Sequence, residues 1–159
     1  MLWDLSILQI TILNCLWWPC IMLTVSYLAV RFKKVTFNPD GLYFRKKTWE
    51  KNGEIYDTLF KVKYWKKKLP DGAAWFRKGF PKKRFRKKNP EYLRQFLSET
   101  CRGEIAHWIM LLPSPVFYLW NPLWSSIVLT VFGLMINIPC IIVQRYNRFH
   151  LQNLLQRIE

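Results

Sequence analysis

Forty consecutive residues, Ile105 to Gln144, contain no Lys, Arg, Asp or Glu. No other feature of the chain limits its fold as strongly. About 20 apolar residues span a bilayer core, so this run is too long for one ordinary crossing. Pro113, Pro115, Asn121 and Pro122 interrupt it. The pattern predicts a helical hairpin, with an outward pass ending near residue 119, a turn at Asn121-Pro122 and a return pass from about Leu123 to Val143. A second uncharged segment, Leu5 to Val30, is 26 residues long and can also cross. Pro19 lies in its middle, and Trp17, Trp18 and Tyr27 suit interfacial depths. A cleaved signal peptide is the competing reading, but it would carry positive charge ahead of a short apolar core. Here Asp4 stands in front, and Arg31, Lys33 and Lys34 follow. The segment reads as a retained anchor.

Charge completes the picture. The chain is 51% hydrophobic and 17% aromatic, yet its net charge is +15. A soluble domain has no evident use for both extremes. Separation along the chain reconciles them, because 22 of the 25 Lys and Arg fall between Arg31 and Arg102. The expected fold is mainly α-helical and integral to the membrane, in a single domain. Its parts are an N-terminal anchor helix (5–30), a basic cytoplasmic, interfacial region (31–103), a C-terminal transmembrane helical hairpin (104–144) and a cytoplasmic tail (145–159). Short Lys- and Arg-rich loops stay in the cytoplasm, which places the amino terminus and the uncharged hairpin tip outside. The cell membrane is the expected location. The hairpin either crosses, giving three passes, or re-enters on one side.

Within the basic region, Asn38-Pro39-Asp40-Gly41 and Asn52-Gly53 are turn signals. Apolar residues at 55, 56, 59, 60 and 64 form a helical stripe suited to a helix lying in the membrane interface. Asp71-Gly72 marks another turn, and the stretch from Phe76 to Lys88 interleaves aromatics with eight Lys and Arg. Such a run fits adhesion to anionic lipid headgroups, docking of a phosphorylated substrate such as the nucleotide end of coenzyme A, or nucleic acid. Nucleic acid is set aside, since a segment between membrane anchors meets lipid first. The oligomeric state is open.

Chemistry concentrates where charge meets the long apolar run, at Glu99-Thr100-Cys101-Arg102-Gly103-Glu104-Ile105-Ala106-His107-Trp108. Asn89-Pro90-Glu91 is a helix start, with a capping Asn, Pro at the first position and an acid in the first turn. A helix from Pro90 to about Leu112, roughly 34 Å long, carries these residues to the boundary. Glu104 and His107 are three apart and share a face. An ionisable group at a membrane edge is a functional hypothesis, although both residues could simply mark the helix's watery end. The return pass ends at Asn137-Ile138-Pro139 and Val143-Gln144-Arg145-Tyr146-Asn147-Arg148, which the hairpin brings back to the same boundary. Arg145 and Arg148 could grip one anionic group or serve only as topology markers. No pair among Cys15, Cys20, Cys101 and Cys140 has metal-ligand spacing, and with two His in the chain no metal site is expected. Cys101, beside Arg102, could be an activated thiolate, but no dedicated base accompanies it.

Three blocks carry a family resemblance. They are Tyr64-Trp65-Lys66 through Leu69 to Asp71-Gly72, then Glu99-Thr100-x-Arg102-x-Glu104-x-x-His107-Trp108, and Asn137-x-Pro139 through Val143-Gln144-Arg145-Tyr146-Asn147-Arg148 to Leu151. In order, spacing and topology the chain resembles the glycosyl-4,4'-diaponeurosporenoate acyltransferases, bacterial membrane enzymes of staphyloxanthin carotenoid biosynthesis. It departs at Phe149 and His150, where the family pattern has Pro and Arg, and this leaves the role of His150 open. The resemblance implies esterification of a sugar hydroxyl on a glycosylated, carotenoid-like lipid with a fatty acyl group. The implied donor is an acyl thioester, acyl-CoA or acyl carrier protein, and no bound cofactor is expected. His107 is the implied general base, Glu104 its orienting acid, and Arg102 an electrostatic partner. Trp65, Lys66, Asp71, Glu99, Trp108, Asn137, Gln144, Arg145, Tyr146, Asn147 and Arg148 are the implied substrate-binding residues. A non-catalytic adaptor that binds anionic lipids through the basic face is the alternative.

Overall fold

The computed structural model describes residues 5–31, 37–69 and 89–159. The Asp71-Gly72 turn and the basic run from Phe76 to Lys88 lie outside them. Among the described residues the secondary structure is entirely helical. Helix α1 spans Ile7–Arg31, roughly 37 Å at 1.5 Å per residue. Its start is closed by a reciprocal pair: the Ser6 amide donates to Gln9 Oε1 at 2.9 Å and the Gln9 amide donates to Ser6 Oγ at 3.4 Å, a capping box.

The short elements of the central region are α2 (Glu54–Thr58) and α3 (Val62–Trp65), preceded by a 3-10 turn at Thr48–Gly53. The apolar stripe over 55–65 had suggested one interfacial helix, and the structure breaks it in two. Lys61 adopts φ 48°, a left-handed conformation that ends one helix and starts the next. Lys51, Asn52 and Gly53 are also left-handed, and at Gly53 a side chain would meet the Phe149 ring at 3.0 Å. This tight turn seats Glu50 and Tyr56 against the last long helix.

Helix α4 spans Pro90–Leu111, capped by the Asn89 side chain, which accepts from the Tyr92 amide at 3.2 Å. Helix α5 spans Leu123–Gln156, roughly 51 Å. It begins right after the expected Asn121-Pro122 turn, but it does not stop near Val143. The polar block from Gln144 onward continues the same helix for three more turns, where a tail had been expected. Helices α4 and α5 pack antiparallel along their length. Leu93, Phe96 and Leu97 meet Leu151 at one end, and at the other α4 ends at Leu111, just before Pro113.

Among the described residues two helices, α1 and α5, are long and apolar enough to cross a membrane. The outward limb of the hairpin is not a continuous α-helix, because Pro113 and Pro115 remove backbone donors. The chain instead climbs as a 3-10 turn over Ser114–Leu119. Irregular backbone in apolar surroundings is tolerated only where protein covers and satisfies it, and here Ser114, Phe117 and Asn121 are buried. Ser114 Oγ donates to the Leu111 carbonyl at 2.7 Å, while Asn121 Nδ2 and Ser126 Oγ both donate to the Phe117 carbonyl at 3.2 Å. Phe117, Trp120 and Trp18 form a buried cluster. The tip is tied to α1 by a reciprocal amide pair, Asn14 and Asn121, at 2.8 and 2.9 Å, and Trp120 Nε1 donates to Asn14 Oδ1.

Trp18 lies on Gly133 of α5 so closely that a Cβ there would sit 2.0 Å from its ring. Small residues let transmembrane elements approach in this way. Gly133→Ala is expected to push α1 away and lower stability by about 1–3 kcal/mol, the usual cost of overpacking. Thermal denaturation in detergent checks this, and the loss should shrink in a Trp18→Leu background.

Candidate active site

One face of α4 carries Leu97, Thr100, Glu104 and His107, at helical spacing. One stripe of α5 carries Asn137, Ile141, Arg145 and Arg148. Antiparallel packing sets these against each other, so apolar side chains give way to a buried polar seam.

Glu104 is the hub of that seam and is 1% exposed. Its Oε1 accepts from Arg145 Nη1 at 2.9 Å and its Oε2 from Arg148 Nη2 at 2.5 Å. Arg145 Nε donates onward to Glu50 Oε1 at 2.8 Å. Tyr56 donates its hydroxyl to the same oxygen at 2.5 Å, and the Lys47 amide donates to Glu50 Oε2 at 2.7 Å. Arg148 also reaches Thr100 Oγ1 and the Phe44 carbonyl, both at 3.4 Å, and lies over the Phe44 ring at 4.9 Å. Two carboxylates and two guanidiniums therefore balance in one buried cluster. Burial works against the Glu50 carboxylate, but Arg145, Tyr56 and the Lys47 amide outweigh it and hold its pKa below the ordinary value. Burial and the adjacent Glu50 charge push the Tyr56 phenol well up, so it stays a donor.

Glu104 had been expected to orient His107. In the structure His107 Nδ1 lies 2.9 Å from Asn137 Oδ1, and both oxygens of Glu104 accept from arginines. Arg102, grouped with these two in the sequence, pairs with Glu99 one turn below and lies near the Phe37 ring, at 5.9 Å. The three implied catalytic residues thus belong to three adjoining clusters.

Lys66 does meet the return segment. Its Nζ donates to Asn147 Oδ1 at 3.4 Å and lies 4.4 Å from the centre of the Tyr146 ring. Burial pulls its ammonium below the usual lysine value, helped by Lys67 and Lys63 and opposed by Asp57. Trp65 packs beside the cluster formed by Tyr56, Val62, Tyr146 and Phe149, and its indole donates to the Phe60 carbonyl at 2.7 Å. Trp108 is exposed, bordering an apolar groove with Tyr43, Ile105, Ile109 and Leu112. Gln144 is half-buried on α5, and Asp71 lies outside the described residues. Cys101 is fully buried, and burial pushes its thiol above the ordinary value despite Arg148, the opposite direction from an activated thiolate. His150 is exposed and stacks on Tyr146, ring centres 4.2 Å apart.

Glu50 and Tyr56 were missed in the sequence. The available signal was an acid isolated among Lys46, Lys47 and Lys51. A carboxylate surrounded by lysines reads as surface charge until the fold shows it buried.

The family profile described as glycosyl-4,4'-diaponeurosporenoate acyltransferase matches residues 40–157, which include the whole seam. The chain belongs to this family. Glycosyl-4,4'-diaponeurosporenoate acyltransferases of Staphylococcus aureus strains bovine RF122 / ET3-1 and MRSA252 are each 30% identical to it over 141 residues. The enzyme of strain USA300 is 29% identical over the same length. Each alignment covers 89% of this chain and 85% of the relative. No solved structure shows significant similarity. The protein is an acyltransferase, and the adaptor reading gives way to an enzyme.

Removing one partner from a buried ion pair strands the other and costs about 3–5 kcal/mol. Glu104→Leu is expected to destabilise the fold by that amount, which denaturant titration in micelles can measure. Glu50 adds a pH dependence. Its folded pKa is depressed from 4.5, so its contribution is present above that value and is lost as pH falls through the lower, folded value. The thermal midpoint should therefore fall more steeply below about pH 4.5 in the unsubstituted chain than in Glu50→Gln.

Proposed function

We propose that this acyltransferase esterifies a sugar hydroxyl of a glycosylated, carotenoid-like membrane lipid with a fatty acyl group from a thioester. The relatives are named for a glycosylated carotenoid acid, and that substrate class carries over as the proposal. The observation that carries the reaction is the His107–Asn137 contact of 2.9 Å, on α5 about two turns before its charged block begins at Arg145. In the proposed step the imidazole takes the proton from the sugar hydroxyl as its oxygen bonds to the thioester carbonyl carbon. The tetrahedral adduct then collapses, the carbon–sulfur bond breaks, and the imidazolium returns the proton to the departing thiolate.

Arg145 and Arg148 are neutralised by Glu50 and Glu104, so in this reading they hold the scaffold. Lys66 and Asn147, roughly 15 Å along α5 from Asn137, supply positive potential and a neutral donor for donor phosphate. In this reading the basic region faces the cytoplasm and anionic headgroups, and the acyl-CoA or acyl carrier protein arrives from the same side. The acyl chain and the lipid tail stay among the exposed apolar faces of α1, α4 and α5.

Removal of a positioned general base typically costs 10²–10⁴-fold in rate, by order of magnitude. His107→Ala should insert normally yet lower formation of the acylated glycolipid by about that factor. Lipid mass spectrometry of cells carrying either form checks this, and wild-type product levels in the variant would remove the base.

A further inference from the structure

Asn137 is fully buried at the midpoint of the long α5 helix, where an unsatisfied amide is costly. Both ends of its side chain are engaged. Nδ2 donates to the Gly133 carbonyl at 3.0 Å, and Oδ1 faces His107 Nδ1 at 2.9 Å. A carbonyl oxygen only accepts, so the Gly133 contact fixes which way the amide points. Turning it over would set two acceptor oxygens against each other at 3.0 Å. With Oδ1 toward the imidazole, the ring must donate, and the donor is Nδ1–H. A neutral imidazole carries one proton, so the lone pair then belongs to Nε2.

We propose that Asn137 is a positioning residue that holds His107 in the Nδ1-protonated tautomer, making Nε2 the atom that accepts the substrate proton. Gly133 is the second member of this device. Its carbonyl orients Asn137, and its missing side chain admits the Trp18 ring of α1, which covers that stretch of α5. An amide orients the ring without placing a negative charge beside it. The carboxylate nearby, Glu104, is committed to Arg145 and Arg148. This assignment rests on His107 being the base.

The chain contains two histidines, so His150→Gln leaves His107 as the sole imidazole. In that background, ¹⁵N-histidine NMR of the whole protein in lipid or detergent, above the pH at which the ring titrates, reads the tautomer directly. The expected result is a pyrrole-type Nδ1 and a pyridine-type Nε2, and the reverse pattern overturns the proposal. Asn137→Ala should convert the ring largely to the Nε2–H form and lower acyl transfer at least about tenfold. An unchanged tautomer or unchanged rate in that variant also overturns it. If Asn137→Ala does not insert, the spectrum of the His150→Gln protein decides alone. Activity in His107→Ala separates the two levels. An inactive His107→Ala together with an Nε2–H ring leaves the base in place without Asn137, whereas an active one removes the base itself.

Discussion

The paired carboxylates and guanidiniums at Glu50, Glu104, Arg145 and Arg148 fix the relation between the basic region and the helical hairpin. Charges of this kind are expensive to bury and hold only when every lone pair and donor is matched. Matching here requires three distant segments at once. The turn at Thr48–Gly53 supplies Glu50, α4 supplies Glu104, and α5 supplies both arginines. The cluster therefore acts as a registry device. Sliding α4 along α5 by one turn would strand Glu104 against apolar side chains, and lifting the turn away would strand Arg145. Tyr56, Thr100 and the Phe44 carbonyl complete the set without adding charge.

This registry places the His107–Asn137 contact on the apolar stretch of α5, about two turns before the charged block at Arg145. Towards the hairpin tip the α5 surface is apolar and exposed, as at Val128, Val131 and Met135. Beyond Gln144 it is polar or covered. An enzyme that joins a fatty chain to a sugar must hold one substrate portion in each environment. The side chain beside the imidazole is a neutral amide, which adds no buried charge.

The hairpin tip meets the complementary problem, that of keeping polar backbone inside an apolar layer. Ser114 donates to the Leu111 carbonyl, which Pro115 leaves without its usual amide donor, and Asn121 and Ser126 add side-chain donors to the Phe117 carbonyl. The amide pair with Asn14 fastens α1 at the same level. The anchor helix is thus bound into the fold at two depths, through Asn14 at the tip and through Trp18 against Gly133. Contact from α1 consequently reaches the helical turn that carries Asn137.

The linear order of residues determined those properties that depend on neighbours in sequence. The charge segregation, the cap at Asn89, the break at Asn121-Pro122 and the helical spacing of Glu104 and His107 are all local, and each reads directly from residue type and period. The end of α5 was not legible, since the change from apolar to polar at Gln144 alters what the helix touches but not its propensity to continue. The helix over 55–65 was over-read because its stripe is interrupted by a left-handed residue, Lys61, that no pattern signals. Only the tertiary structure decided the partners. Glu104 lies next to His107 along the helix, yet two guanidiniums across the interface offer its carboxylate far more than one imidazole can. Asn137, thirty residues away, meets the ring because antiparallel packing brings its turn opposite. Which acid pairs with which base is set by distance in space, and that distance exists only once the helices have packed.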